Sequence, residues 1–315
     1  MNGWTLILVF PMVFFLSLFF EGVDRKIHSR LQQRVGPPIL QPFYDFFKLI
    51  HKEIIIPETA SRRFFTLMPI AATAVSFLIA SIPIMSLIEG VPIAGDLILI
   101  MYLFAMVSVF IMIGGTASGN PFGGISFSRK MVMMLGYEVP LILAIISIAF
   151  APSNSLTFLD VIATQKTQRS VLAFMSLGKA FAAATFLICI PAAAEVTPFD
   201  IAEAKSEIVH GYLIEYSGVY LALIKLAKAS LKFALCFLAA TLFFFTPALF
   251  EEQLLFGNIS AFLLSLLGAL IVMVCTITIP RTLSARLKIG QALKFYWGIP
   301  LFFAVAALIL SILGL

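Results

Sequence analysis

The residues most able to do chemistry are acids placed at the ends of, or inside, long apolar stretches. Glu21 closes the first stretch and shares a helix face with Asp24 and Arg25 at spacings of three and four. Glu138 lies inside another stretch, about two and a half helical turns past Arg129. Ionisable groups in a membrane are costly and usually have a task. Glu21 is either an interfacial anchor or an acid at the mouth of a polar path. Glu138 is either a structural acid hydrogen-bonded to a neighbour or a proton shuttle.

The densest group of acids lies in residues 194–217. Asp200, Glu203 and Glu207 recur at spacings of three and four, so a single helix would place them on one face. Thr197-Pro198 is typical of a helix N-terminus and predicts that this helix begins just before Asp200. Like charges on one face repel, so this stripe is either solvated or shares protons through coupled titration. The same segment also contains Glu195 and Glu215.

Four lysines lie within apolar stretches close to these acids. Lys179 is well inside one stretch, and Lys225, Lys228 and Lys232 occupy the first part of another. Lysines near the end of a membrane span can extend their ammonium groups to the surface. The sequence leaves two interpretations open: surface-reaching lysines, or partners of the acids.

The segment after the first stretch predicts a sharp break and then an amphipathic helix. Gly36-Pro37-Pro38 breaks the chain. Apolar residues then recur at helical spacing from Phe43 to Ile50, with Asp45 and Lys48 on another face. Such a helix either lies on a lipid surface or offers a docking surface to a soluble partner.

These charges must be positioned by a chain that has few of them. Of the 315 residues, 61% are hydrophobic and 12% are charged, whereas soluble domains carry about a quarter charged residues. Soluble, disordered and fibrous classes are excluded, and the unbroken apolar runs exclude a porin-like barrel. The sequence predicts an all-α, polytopic membrane protein with about eight transmembrane helices and a cytoplasmic amphipathic helix, forming a single membrane domain over residues 1–315. The predicted spans cover roughly residues 3–22, 67–88, 97–117, 132–150, 171–193, 218–248, 259–280 and 298–315.

The distribution of basic residues predicts the orientation of these spans. Most Lys and Arg residues fall in alternate loops, and the positive-inside rule assigns those loops to the cytoplasm. Loops 23–66 and 194–217 are then cytoplasmic, with both termini outside the plasma membrane. The net charge of +5 therefore marks cytoplasmic loops and indicates no nucleic-acid partner.

The cysteines and histidines predict no cofactor on this chain. Cys189, Cys236 and Cys275 are far apart and form no CxxC pair. We therefore expect neither a zinc site nor an iron–sulfur cluster built by this chain alone.

Taken in order, these motifs resemble the respiratory complex I subunit 1 (NuoH) family over nearly the whole chain. The segments that carry the resemblance are Glu21 with Arg25-Lys26, Arg34-Val35-Gly36-Pro37, Leu40-Gln41-Pro42 with Asp45, Lys48-Leu49, Lys52-Glu53, Tyr137-Glu138-Val139, Pro198-Phe199-Asp200-Ile201-Ala202-Glu203 with Glu207, and Ile214-Glu215-Tyr216. The acidic loop is shorter than in quinone-reducing members and lacks their Arg. In this respect the chain is more similar to the membrane anchor of energy-converting (group 4) membrane-bound nickel–iron hydrogenases and of the related archaeal sulfane sulfur reductase complex.

The resemblance implies a non-catalytic membrane anchor and coupling subunit of a ferredoxin-driven respiratory complex. Its implied partners are a hydrogenase-like large subunit, the iron–sulfur subunit nearest the membrane, antiporter-like membrane subunits and the lipid bilayer. The partner subunits would carry iron–sulfur clusters and, in a hydrogenase, a nickel–iron centre. A quinone-site subunit of complex I is the alternative. A stand-alone secondary transporter is a third hypothesis, against which the absence of recognisable inverted repeats argues.

Two sets of residues follow as candidate sites. The expected ion-path and coupling residues are Glu21, Asp24, Glu138, Lys179, Asp200, Glu203, Glu207, Glu215, Lys225 and Lys228. The expected partner-interface residues are Arg25, Lys26, Arg30, Arg34, Gln41, Asp45, Lys48, Arg129 and Glu195.

Overall fold

The computed structural model describes residues 3–90, 96–150, 157–168, 171–244 and 256–314. These residues are almost entirely helical, with no strand among them, which confirms the predicted all-α fold. The helices are α1 (Gly3–Leu31), α2 (Gln41–Ile50), α3 (Arg62–Glu89), α4 (Asp96–Thr116), α5 (Pro121–Ala149), α6 (Phe158–Gln168), α7 (Leu172–Met175), α8 (Leu177–Ala193), α9 (Lys205–Ile208), α10 (Gly218–Phe243), α11 (Phe256–Met273), α12 (Ile279–Leu283) and α13 (Ile289–Ile312).

Within the described ranges, five helices are long and apolar enough to cross a membrane: α3, α4, α5, α13 and the stretch Ser260–Leu283. The helix α8 is apolar but shorter, whereas α1 and α10 are long and carry charged residues. The count of eight spans therefore stays a prediction, and the end of the sixth predicted span, 245–248, lies outside the described residues.

Several helices extend beyond the predicted apolar spans. The helix α5 begins at Pro121 rather than near residue 132, because the Asn120 side chain accepts a hydrogen bond from Phe122 N (2.9 Å) and caps its first turn. The helix α1 likewise continues past residue 22 to Leu31. These polar extensions carry many of the candidate site residues.

The helix α10 lies at the centre of the bundle. It packs against α1, α3, α8 and α11, and nearly every residue from Leu226 to Phe243 is buried. Ser230 Oγ donates a hydrogen bond to Ser76 Oγ on α3 (2.7 Å). Small residues at such contacts allow membrane helices to approach closely. On α10 Lys232 is buried and Lys228 is partly buried within the bundle, whereas Lys225 remains exposed.

The helix α2 forms where the sequence predicts it and lies against the charged end of α1. Phe43 and Phe46 both contact the ring of Phe14 on α1. Tyr44 and Phe47 on the same helix remain more than half exposed. The apolar residues of α2 are thus divided between the bundle and an open face.

The segment 194–217 is not a single helix, so the prediction of one continuous acidic helix is wrong. It consists of 3₁₀ turns at Ile201–Glu203 and Gly211–Leu213 on either side of the one-turn α9. Val209 and His210 have positive φ angles (50° and 75°), which end α9. The three acids at positions 200, 203 and 207 consequently do not share one face.

The part of this segment around Tyr212 and Tyr216 is buried against α3, α4 and α5, and two glycines of α4 make room for it. A Cβ atom on Gly115 would lie 2.3 Å from Tyr212 Cβ, and one on Gly114 would lie 2.6 Å from Tyr216 Oη. The Tyr216 ring stacks on Phe65 of α3, with centroids 4.2 Å apart. Only glycine at these two positions lets the loop sit this deeply.

We predict that Gly115→Ala destabilises the protein, whereas Gly124→Ala does not. The added methyl at position 115 would overlap the rigid Cβ of Tyr212, and overpacking of this kind costs about 1–3 kcal/mol. Nothing lies within 4 Å of a Cβ at position 124, so that variant is the matched control. Thermal unfolding of the purified protein in detergent measures the difference. Equal melting temperatures for the two variants would contradict this account of the loop.

Candidate functional site

A cavity of about 400 Å³ lies between α1, α2, α10, α12 and the segment 194–217. Apolar side chains such as Leu18, Phe46 and Leu49 form part of its wall. The charged residues that line it are Glu21, Arg25, Asp45, Glu195, Asp200, Glu203, Lys225, Lys228, Lys232, Arg281 and Arg286. The structure therefore brings many members of the two candidate sets together around one space.

Glu195 lies at the centre of the first group of ion pairs. Its carboxylate is 2.5 Å from Lys130 Nζ and 2.6 Å from Lys228 Nζ, and it accepts a hydrogen bond from Tyr212 Oη (2.6 Å). Burial would raise the pKa of the Glu195 carboxyl, but the two ammonium groups outweigh burial and hold that pKa well below its usual range. Glu195 is thus a partly buried carboxylate, charged at ordinary pH, that links α5 to α10.

Lys228 is shared between two acids of the segment 194–217. It forms ion pairs with both Glu195 and Glu203. Lys130 and Lys228 also lie over the ring of Tyr212, with Nζ 5.2 and 5.0 Å from its centroid. Burial, and then the nearby carboxylates, raise the pKa of the Tyr212 hydroxyl, so Tyr212 remains a hydrogen-bond donor to Glu195.

A second group of ion pairs ties α1, α2 and α10 together. Glu21 accepts from Lys232 Nζ (2.6 Å) and from Arg25 Nε (3.1 Å). Arg25 also pairs with Asp45 (2.9 Å), which accepts a hydrogen bond from Gln41 Nε2 (3.0 Å). This chain of contacts runs from the half-exposed surface of α2 to the buried face of α10.

The two groups meet on α10, because Lys228 and Lys232 are four residues apart and so lie on the same face. Lys232 also approaches the wholly buried carboxylate of Asp24 (3.5 Å). Asp24 in turn accepts from Thr278 Oγ1 (2.8 Å) and Arg281 (3.1 Å). The result is two neighbouring groups of charged side chains beside the cavity, which both lysines line.

The remaining acids of the segment 194–217 each bind a different element. Asp200 pairs with Arg286 (2.7 Å), which lies between α12 and α13. Glu207 pairs with Arg129 in the first part of α5. Glu215 accepts from Asn120 Nδ2 (2.6 Å). The spacing of Asp200 and Glu207 in the sequence is helical, but their partners lie in different directions, which explains why the segment folds as separate turns.

Glu138 lies apart from this network and lines a second cavity of about 420 Å³ between α4, α5 and α10. Ser108, Tyr137 and Leu231 also line this space. Glu138 is half-buried and makes no hydrogen bond or ion pair within the described part of the chain. The structure therefore shows no neighbour that would make Glu138 a hydrogen-bonded structural acid.

The structure does not bring Lys179 to the acids. Lys179 is in the first turn of α8, where its Nζ lies 3.7 Å from Met175 Sδ. Glu195 follows the other end of α8, about 24 Å away at 1.5 Å per residue. Among the described residues Lys179 has no acidic partner, and its assignment to an ion path stays a prediction.

The basic residues expected to bind a partner lie mainly at the surface. Arg30, Arg34 and Lys48 are exposed. Lys26 Nζ donates to Val35 O (3.0 Å) and fixes the turn between α1 and α2. Their positive charges are therefore accessible at the surface near α1 and α2, which border the cavity.

Sequence reasoning missed several residues of the network. In the sequence, Lys130, Arg281 and Arg286 contribute only as loop charges that set the orientation, and Thr278 and Tyr212 carry no signal of their own. Lys232 is among the lysines that the sequence offers as partners of the acids, and its four-residue spacing from Lys228 predicts that the two share a helix face. Among the described residues there is no group of three or more His, Cys, Asp or Glu that could hold a metal ion.

We predict that Glu195→Gln strongly destabilises the protein. The variant keeps the side-chain volume but leaves Lys130 and Lys228 close together without their shared counter-charge, and breaking a buried pair costs about 3–5 kcal/mol. The double variant Glu195→Gln/Lys130→Gln should recover part of the loss, because it removes one of the two lysines. Thermal unfolding in detergent measures both effects.

The ion pairs of Glu195 also predict how the free energy of unfolding changes with pH. Because the folded-state pKa of Glu195 is lowered, its stabilising contribution is fully present above the ordinary carboxyl pKa of about 4.3. The contribution disappears as the pH falls through the lowered value. An unchanged melting temperature in the single variant, or no recovery in the double variant, would contradict the central role of Glu195.

Comparison with known proteins places this arrangement in a family. The family model described as NADH dehydrogenase matches residues 4–312. The NuoH subunit of NADH-quinone oxidoreductase from Bacillus cytotoxicus is 31% identical over 260 residues, which cover 79% of this chain and 76% of the relative. The corresponding protein of Dehalococcoides mccartyi is 30% identical over 327 residues, which cover 97% of this chain and 84% of the relative.

A solved structure shows the same fold. A chain of the membrane-bound sulfane sulfur reductase, an archaeal respiratory membrane complex, superposes with a TM-score of 0.83 at 26% identity, and the match covers 97% of each chain. The resemblance found in the motifs thus extends to the three-dimensional arrangement. This helical membrane protein belongs to the NADH dehydrogenase family, together with the NuoH subunits of NADH-quinone oxidoreductases.

Proposed function

We propose that this chain is the non-catalytic membrane anchor and coupling subunit of a ferredoxin-driven, complex I-related respiratory complex. In this role it links electron transfer in a peripheral arm to translocation of protons or sodium ions. The observation that carries the proposal is the presence of two groups of ion pairs whose lysines, Lys228 and Lys232, lie one turn apart on α10. One branch runs through Asp45, Arg25 and Glu21 to Lys232, and the other through Lys228 and Glu195 to Lys130.

Shared partners make this network suitable for transmitting a change of charge. Lys228 is divided between Glu195 and Glu203, and Lys232 between Glu21 and Asp24. A new charge at the cavity mouth would favour one acid of each pair over the other. Because the contacts are desolvated, such a change is screened far less than at a surface.

Lys130, the last residue of one branch, lies on the helix that also carries Glu138. Lys130 and Glu138 lie on the same helix, eight residues or about 12 Å apart. A shift in the position of Lys130 changes the electrostatic potential along α5 and at the second cavity. Glu138 is therefore the acid that we assign to ion transfer towards the membrane interior.

The exposed residues around the cavity support the proposed role as an anchor for soluble subunits. We infer that loops 23–66 and 194–217 face the cytoplasm of a cell whose plasma membrane holds the chain, with both termini outside. Their exposed basic residues and surface ion pairs would contact a hydrogenase-like large subunit and the iron–sulfur subunit nearest the membrane. Antiporter-like membrane subunits would receive the coupled ions, and the iron–sulfur clusters, with nickel–iron in a hydrogenase, would belong to the partner subunits.

A second function, quinone binding, is favoured by two observations. The cavity of about 400 Å³ has an apolar wall formed by Leu18, Phe46 and Leu49, next to charged groups that could orient a ring. The curated relatives are also named as subunits of NADH-quinone oxidoreductases. The first function is preferred because ion pairs occupy so many of the charged groups that line the cavity.

We predict that Glu138→Gln leaves assembly and electron transfer near wild type and lowers ion translocation severalfold. The assembly is spared because Glu138 makes no ion pair with the described residues, and translocation falls because Gln cannot exchange a proton. Membrane vesicles that contain the complete complex allow ion uptake and electron transfer to be measured together.

Glu53→Gln is the control for this experiment, since it removes an exposed carboxylate near the cavity side without touching either cavity. We expect it to behave as wild type. Full ion uptake in the Glu138→Gln vesicles would refute the assignment of Glu138 to the ion path.

A further prediction separates the two functions. The purified complete complex should oxidise reduced ferredoxin with protons or a sulfur compound as acceptor, and added quinone should not increase its turnover. Inhibitors that occupy quinone sites should leave the rate unchanged. Quinone-dependent turnover that these inhibitors block would establish the quinone-site function instead.

A further inference from the structure

Asp24 is held by donors from two other helical stretches although its carboxylate is wholly buried. Thr278 Oγ1 donates to Oδ1 (2.8 Å), whereas Arg281 (3.1 Å) and Lys232 (3.5 Å) approach Oδ2. The contact to Lys232 is the longest of the three. Asp24 is thus bound more closely to the stretch after α11 than to α10.

The backbone near Thr278 is unusual. Residues Val274–Thr278 form a π-helical turn between α11 and α12, and Ile279 N donates to Val274 O. A π turn inserts one residue, which rotates the helix that follows by about 100° relative to a regular α-helix. Such turns are rare and often occur at functional positions. Here Thr278 and Arg281, three residues apart, both face Asp24.

The distances around Lys232 show how the π turn affects the choice of this lysine between two acids. Lys232 Nζ lies 2.6 Å from Glu21 and 3.5 Å from Asp24. Because Thr278 and Arg281 already satisfy the Asp24 carboxylate, Lys232 is left to make its short contact with Glu21. Other ionisable groups near Asp24 are His28 on α1 and Cys236 on α10, neither of which forms a hydrogen bond to it.

We propose that Thr278 is a positioning residue: its hydroxyl, presented by the π turn, holds Asp24 towards α12 and thereby keeps Lys232 paired with Glu21. This inference rests on the coupling function proposed above, in which Lys232 is the lysine of α10 that pairs with the acids of α1. Thr278 itself transfers no ion. It sets which of two acids the central lysine favours.

The chain offers a close set of variants to test this role. Thr278→Val keeps the shape of the side chain but removes the donor to Asp24, and Thr278→Ser restores a hydroxyl. Thr276→Val is the matched control, because Thr276 lies in the same π turn and its hydroxyl donates to Val272 O of its own helix (2.8 Å). The three variants separate loss of the Asp24 contact from a general loosening of the turn.

Two readouts are measured on the complete complex in vesicles. The first is the number of ions translocated per electron pair. The second is the rate at which a membrane-permeant maleimide labels Cys275, followed by mass spectrometry of its peptide. Cys275 is an exposed residue of the π turn, whereas Cys189 and Cys236 are buried and serve as internal references. Labelling reports the geometry of the turn without requiring translocation.

In Thr278→Val we expect a severalfold loss of ions per electron pair, near-normal electron transfer and a severalfold change in the labelling rate. Thr278→Ser should restore both readouts, and Thr276→Val should alter neither. The proposal is overturned if Thr278→Val leaves either readout unchanged, if Thr278→Ser fails to restore them, or if Thr276→Val has the same effect. A wild-type complex that translocates no ions would remove the proposed coupling function. In that case Cys275 labelling would still decide whether the contact between Thr278 and Asp24 affects the geometry of the π turn.

Discussion

The structure depends on the partly buried carboxylate of Glu195 and on the two lysines that neutralise it. A buried carboxylate without partners is very costly, so the chain must bring Lys130 of α5 and Lys228 of α10 to the same point. That requirement fixes how the segment 194–217 crosses the bundle and which faces of α5 and α10 point inward. The other ion pairs at the cavity are arranged around this contact, through Glu203 and the neighbouring turn of α10.

The same requirement explains the glycines of α4 and the turns of the acidic segment. A polar loop can lie inside a helical bundle only if its backbone and side chains find partners there. Tyr212 and Tyr216 fill the space next to Gly115 and Gly114, and their hydroxyls donate to Glu195 and to Phe65 O. Burial raises the pKa of both phenols, so they remain donors at ordinary pH.

The sequence predicted the helical membrane fold and the location of the charged site because both depend on local patterns. Apolar runs identify membrane helices, and the motifs around Glu21 and Glu195 each contain the central acid of one group of ion pairs. The spacing of Asp200, Glu203 and Glu207 led to the wrong prediction of a single helix. Helical periodicity carries no information about ion-pair partners on distant helices. Thr278 was not predictable from the sequence, because its role arises from a π turn that shifts the register of its helix.

The four-residue spacing of Lys228 and Lys232 has a consequence for how the site responds. Both ammonium groups are attached to one turn of a rigid, buried helix, so a rotation or tilt of α10 displaces them together. A disturbance that lengthens the Lys232–Glu21 contact would therefore also strain the contacts of Lys228. Movement of α10 would thus reach the acids of α1 and those of the segment 194–217 at the same time, although no ion pair joins the two groups directly.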